Sequence, residues 1–103
     1  MNALTSDVKH EAERGLILQV LVEWGLEWMP FHELRAQLTS RLGRRLPDDA
    51  LGFHMNYLEQ GGYAERRSLR SGRADIELLV VRATPKAVDF LEGLLPADPG
   101  ISV

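Results

Sequence analysis

The sequence contains no cysteine. That removes disulfides, thiolate metal ligation and cysteine nucleophiles together, and it fits a reducing compartment. Long apolar runs are also missing. The longest, Leu16 to Val22, is interrupted by Gln19 and closed by Glu23, far short of the roughly 20 residues a membrane span needs. The amino-terminal stretch MNALTSDVKHEAERG has no basic segment leading into an apolar one, so no secretion signal is read and a cytoplasmic location is expected. No internal repeat or low-complexity tract is present. Ser6, Ser40, Ser68, Ser71 and Ser102 lack a glycine elbow, and no glycine-rich phosphate loop precedes a helix. His10, His32 and His54 are 22 residues apart each time and fall on three different helices, without the close spacing of a zinc site. The expectation is a protein with no catalytic residues, no metal and no cofactor.

What is present is an ordinary globular composition. The 103 residues are 45% hydrophobic and 26% charged, enough for one domain with a single modest core. The net charge of −3 conceals an uneven distribution. Eight arginines lie between Arg35 and Arg73 (Arg35, Arg41, Arg44, Arg45, Arg66, Arg67, Arg70 and Arg73) against four acids, Asp48, Asp49, Glu59 and Glu65. The remainder of the chain has four basic and eleven acidic residues. A local excess of positive charge steers a polyanion more than the total does.

Periodicity gives the element order. Thr5, Ser6 and Asp7 offer capping side chains ahead of a first helix over Val8 to Trp24. Leu16, Val20 and Trp24 line one of its faces with Ile17 and Leu21 beside them, while Leu18 and Val22 point elsewhere. A helix apolar nearly all round needs cover on more than one side, and a second subunit is the expected cover. Trp28-Met29-Pro30 reads as a connector. Phe31, Leu34, Leu38 and Leu42 recur at steps of three and four, which predicts a second helix capped by Gly43. Pro47, Asp48 and Asp49 suit the start of a third, with Leu51, Met55 and Leu58 inward and Gly61-Gly62 at its end. Tyr63 to Leu69 and Ile76 to Ala83 read as strands joined by a turn at Arg70-Ser71-Gly72-Arg73. Thr84-Pro85 opens a short fourth helix with Val88, Leu91 and Leu95. The end, PADPGISV, reads as an irregular tail.

The predicted class is therefore α+β, mainly α: a winged helix-turn-helix of three helices, a β-hairpin wing and a C-terminal helix. It spans residues 1–95, with the tail over 96–103. The segment NYLEQGGYAERR resembles the passage from third helix to wing in winged-helix regulators of the MarR, PadR and ArsR type. There a Leu-Glu pair, a glycine and an apolar residue lead into a basic strand, here Leu58, Glu59, Gly62 and Tyr63 followed by Arg66 and Arg67. RATPKAVDFLEG is similar to the strand-to-helix exit of the same families. The likeness covers roughly Phe31 to Gly93. A fainter one is to small winged-helix proteins of Mu-like prophages, whose chains are of this length and end in a Pro-Gly-containing tail. The resemblance implies a transcriptional regulator or phage accessory protein that binds duplex DNA with its third helix and wing. It is expected to act as a homodimer joined through its first and last helices.

Several residues have two readings at this level. Arg66, Arg67, Arg70 and Arg73 beside the hairpin tip reach phosphates or a minor groove, or they are solvated charge that blocks edge aggregation. Arg44 and Arg45 before the third helix are a second candidate backbone contact. Helical phase puts Asp48, Asp49, Gly52, Phe53 and Asn56 on the outer face. Asn56 can pair with adenine and Phe53 can touch a thymine methyl. The two aspartates repel phosphates and read as helix caps, a departure from the Ser, Thr, Gln or Arg expected of the resembling families. An exposed Phe53 beside Gly52 reads equally as a protein contact, so the alternative is a protein-interaction module on the same scaffold. Trp24 and Trp28 read as core or dimer packing, against a ligand pocket. His54 reads as a packing or hydrogen-bonding residue, and Gly15 as the close approach of a partner helix or a tolerated glycine.

Overall fold

A computed structural model describes the backbone of residues 3–70 and 77–103, with side chains from Val8 onward. Helix α1 (Ala3–Glu23) is followed by a two-residue strand β1 (Met29–Pro30), α2 (Phe31–Leu42), α3 (Asp48–Gln60), strands β2 (Ala64–Arg70) and β3 (Glu77–Ala83), and α4 (Pro85–Leu91). The described strands form one antiparallel sheet in the order β1-β3-β2. The ladder between β2 and β3 runs without a break from Ala64↔Ala83 to Arg70↔Glu77. Three helices, a hairpin and a helix, with the small first strand closing the sheet, make a winged helix-turn-helix.

Local chemistry explains the boundaries. Gly43 ends α2 in the left-handed region at φ 72°, and its N–H donates to the Thr39 carbonyl. Pro47 sits just ahead of α3, with Asp48 and Asp49 in the first turn, where acids favour the positive end of the helix dipole. Gly62, at φ 80°, turns the chain out of α3 so that the Tyr63 N–H reaches the Leu58 carbonyl at 2.9 Å. Thr84 occupies the position before α4, but its hydroxyl does not cap that helix. It donates instead to the Gly62 carbonyl at 2.6 Å and ties the exit of the sheet to the end of α3.

The core is built from one face of every helix. Ile17, Leu18 and Leu21 of α1, Leu34 and Leu38 of α2, and Leu51, Met55 and Leu58 of α3 are almost fully buried, together with Met29 and Val81 from the sheet. Burying each such side chain stabilises the fold by about 1.5–3 kcal/mol.

Four expectations need correction here. The backbone of α1 already begins at Ala3, so Thr5, Ser6 and Asp7 lie inside the helix and not at its cap; Ala3 and Leu4 are good helix formers and nothing turns the chain at Asp7. The Trp28-Met29-Pro30 connector contains a strand, because Met29 and Pro30 pair with Val81 and Val80. The cover α1 needs is supplied by this chain: α2, α3, α4 and β3 all pack on it, leaving Ile17 and Leu18 with no exposed surface. Of the two readings of Trp24, core or dimer packing, the core one falls, since Trp24 is 41% exposed. Residues 94–103 have no helix or strand, yet Ile101 is buried against the core and the Ser102 N–H donates to the Glu11 carbonyl at 3.0 Å. This crossing accounts for Gly15. A Cβ there would lie 1.8 Å from the Ser102 carbonyl oxygen, so the tail makes the close approach and no partner helix is needed.

Candidate nucleic-acid interface

Helix α3 offers the outer face its phase predicts. Asp48, Asp49, Phe53 and Asn56 are exposed, whereas Leu51, His54, Met55 and Leu58 are buried. The wing strand β2 rises beside the end of α3, and one hydrogen bond joins them: Arg66 Nη2 donates to Asn56 Oδ1 at 2.6 Å. Arg66 also forms an ion pair with Glu59. The sequence thus placed Arg66 and Asn56 in one candidate site, and the structure brings them into contact.

The remaining arginines separate into two sets. Those around the helix-turn-helix are matched by acids. Arg35 and Arg45 share Asp48, the latter at 3.5 Å, and Arg41 pairs with Glu23. Arg44 Nη2 donates to Glu13 Oε2 at 2.8 Å, and Glu13 is only 5% exposed. The wing differs. Arg67 and Arg70 are exposed and meet no carboxylate among the described residues. Strand alternation puts them on opposite faces of the hairpin. Arg70 shares the face of Arg66, towards α3, whereas the Arg67 guanidinium lies 6.0 Å from the ring of Trp28. Arg82, 4.3 Å from the same ring, also donates to Glu65 at 3.1 Å. Trp28 is therefore a platform for two arginines. Arg73 lies outside the described residues.

Below α3 is a buried polar cluster that the sequence reading did not assemble. His54, with no exposed surface, joins two side chains of α1: its Nε2 is 2.8 Å from Glu13 Oε1, and its Nδ1 is 3.2 Å from Arg14 Nε. The arginine can only donate, so Nδ1 accepts and Nε2 carries the proton that goes to Glu13. Burial pulls the His54 pKa below its usual value, the Glu13 hydrogen bond opposing this only in part. Burial also raises Glu13, but hydrogen bonds from Arg44 and His54 outweigh it and hold its carboxyl below the ordinary range. Arg44 is thus part of a brace that runs from the turn before α3, through Glu13, to α3 itself.

The same end of the molecule holds the tail. Asp98 accepts from the hydroxyls of Tyr57 and Tyr63 at 2.6 and 3.0 Å and from the Gly100 N–H at 2.8 Å. Burial raises Asp98, and these donors more than offset it, so its carboxyl sits below the usual range. The Tyr63 hydroxyl is correspondingly pushed up to about 12, by burial first and by Asp98 second. One signal of the cluster exists in the sequence. Glu13 is four residues before Ile17 and eight before Leu21, so it continues the buried stripe of α1 with a charged residue, and a buried charge requires partners. Which partners is decided by residues 31 and 41 positions away, Arg44 and His54.

No helix of the described residues is long and apolar enough to cross a membrane, and no cluster of three or more metal-binding side chains occurs among them. No protein-family model and no curated protein sequence matches the chain. Among solved structures, that of a proposed transcriptional regulator from Thermoplasma acidophilum superposes with a TM-score of 0.68 at 21% identity, covering 84% of this chain and 79% of that one. At this identity the likeness establishes the shared fold.

Proposed function

We propose that the protein is a non-enzymatic regulator that meets duplex DNA with α3 and the wing. The observation that carries this reading is the pairing of an exposed recognition-helix face with a projecting hairpin whose Arg70 extends that face outward. In this reading Phe53 and Asn56 approach base edges in the major groove. Arg70, with Arg73 beyond it, reaches the phosphate backbone, and Arg66 stiffens the angle between helix and wing. Arg44 and Arg45 contribute through the folded turn more than through direct contact, since acids already engage them. Two copies would meet through α1 and α4, where Trp24, just beyond α1, and Leu94, just beyond α4, remain exposed, matching the two half-sites of a palindromic operator.

A second reading is favoured by a specific observation. Arg35, Arg41, Arg44, Arg45 and Arg66 are all ion-paired within the chain, and Asp48 and Asp49 stand exposed at the start of α3. That surface, with Phe53 53% exposed, suits a protein partner. The experiment that separates the two is fluorescence anisotropy with a mixed-sequence duplex of about 30 base pairs, roughly three helical turns. DNA binding gives an affinity that falls steeply as salt rises. No binding at low salt overturns it and leaves the protein-contact reading. Light scattering at the same concentrations reports whether the species is a dimer.

A further inference from the structure

Strand β2 is the outer strand of a sheet ordered β1-β3-β2, so one of its edges has no described strand beside it. Which main-chain groups face that edge follows from one bond. The Thr84 N–H donates to the Tyr63 carbonyl at 3.0 Å, one step beyond the Ala64↔Ala83 pair that opens the ladder. Antiparallel ladders alternate between pairs that exchange hydrogen bonds and pairs that turn theirs away. Glu65, Arg67 and Leu69 therefore bond to β3, and Arg66, Ser68 and Arg70 point their N–H and C=O groups outward. The other side of β3 agrees: Pro30, which has no N–H to give, stands opposite Val80, whose groups this phase spends on β2. Ala64 shares the outward phase but is buried at the α3 end. Among the described residues nothing bonds the outward main-chain groups of Arg66, Ser68 and Arg70.

The geometry points to this edge as the docking site for an extended acidic segment of another protein, added to the sheet as a further strand. In such additions main-chain bonds give the attachment and alternate side chains choose the partner. The two faces beside the edge differ. On the face away from α3, Leu69 and its cross-strand partner Leu78 are both exposed, which suits β-branched apolar neighbours. On the α3 face lie Arg66 and Arg70, and Arg70 meets no carboxylate among the described residues. The occupant is thus a strand with carboxylates at every second position and β-branched apolar residues between them. A second copy of β2 fits poorly. Every antiparallel register in bonding phase that overlaps five or more residues of β2 sets arginine opposite arginine: Arg66 on Arg66, Arg67 on Arg67, or Arg66 on Arg70. Like charges directly opposite are destabilising. The arginines guard the edge against self-pairing and, by the same charge, favour an acidic strand. This inference goes beyond the DNA reading. It rests on the main chain of β2, whereas that reading rests on α3 and on side chains, so either can fail alone.

A capped peptide of alternating glutamate and valine is the probe, added to ¹⁵N-labelled protein while amide hydrogen exchange is followed by two-dimensional NMR. The expected result is a saturable slowing of exchange, by about tenfold or more, at Arg66, Ser68 and Arg70. Glu65, Arg67 and Leu69, already bonded to β3, should change little. Two control peptides, one with lysine in place of glutamate and one with every main-chain nitrogen methylated, should leave the edge unprotected. Ser68→Pro removes an outward N–H and spares the ladder to β3, so it should keep the thermal midpoint and lose the peptide. Four results would overturn the proposal. They are no protection by the glutamate peptide, equal protection by the lysine peptide, or equal binding of the methylated peptide, which would mean charge attraction alone. The fourth is protection of these amides in the protein by itself that grows with concentration, which would make a second copy the occupant. The peptide controls decide the matter even where Ser68→Pro does not fold.

Discussion

Arg44 and Arg45 stand a few residues before α3, Arg67 and Arg70 a few residues after it, and the two pairs are used in opposite ways. The first pair is engaged within the chain: Arg44 on a buried carboxylate that also holds His54, Arg45 at the surface on Asp48 at the helix start. The second pair projects from a hairpin, one residue against a tryptophan face and the other into solvent. In sequence all four belong to one basic stretch. Charge that is clustered in sequence is therefore not charge available to a partner. Arg44 is tied into the packing around α3, whereas Arg67 and Arg70 after it have no ion pair among the described residues.

The largest expected effect tests the engaged half of this comparison. Glu13→Ala leaves Arg44 and His54 without their shared partner in a buried place, and should cost roughly 3–5 kcal/mol in chemical denaturation. A loss below about 1 kcal/mol would show that the brace does not hold α3. Arg44→Ala comes next, with a loss of about 1–2 kcal/mol: Glu13 keeps its bond to His54, and the arginine side chain is 44% exposed, so solvent screens part of its contribution.

Arg70→Ala should leave stability within about 0.5 kcal/mol while lowering the salt slope of duplex binding by about one unit. The comparison breaks if Arg70→Ala destabilises as Arg44→Ala does, or if Arg44→Ala changes the salt slope as much as Arg70→Ala. A smaller effect is read from pH. His54 titrates below its ordinary 6.5 in the folded protein, so below that pH the unfolded chain takes up a proton that the native state refuses. Stability should be full above pH 6.5 and decline as pH falls below it. Glu13, held under its ordinary 4.5, adds its own loss only at lower pH. Denaturant midpoints measured across this window should fall for the native sequence and fall less for His54→Asn. Least of all, Arg45→Ala should leave the midpoint unmoved, since its contact with Asp48 is exposed and long.

Much of the scaffold was legible because it is written locally. The Phe31, Leu34, Leu38, Leu42 spacing and Gly43 gave α2 its observed limits, and Pro47-Asp48-Asp49 gave α3 its start. The phase of α3 separated Phe53 and Asn56 from Leu51 and Met55 correctly. Thr5, Ser6 and Asp7 misled because capping side chains are also tolerated within a helix. A two-residue strand such as Met29–Pro30 has no periodicity to detect. The exposed face of α3 could be read from one helix alone, whereas the Glu13–His54–Arg14 cluster could not. Its members are a single acid, a single base and a lone histidine in sequence, and only packing brings them together. The tail was hidden for the same reason: Gly15 read as a partner helix's approach or a tolerated glycine, and nothing local pointed to Ser102.

The crossing of the tail over α1 also carries a kinetic consequence. The bond from Arg14 to the Gly100 carbonyl spans 86 residues, a far longer closure than the hairpin or the helix-turn-helix. Entropy makes such closures late steps, since they are rewarded only once the rest of the chain is in place. The tail should accordingly dock last in folding and be the first part to open under native conditions, exposing the Ser102 and Ile101 amides to hydrogen exchange before those of the α1 interior. The cavity between α1, α3 and the tail, with Pro99 and Gly100 in its wall, then exists only in the fully closed state. Anything bound in that cavity would slow the opening by mass action.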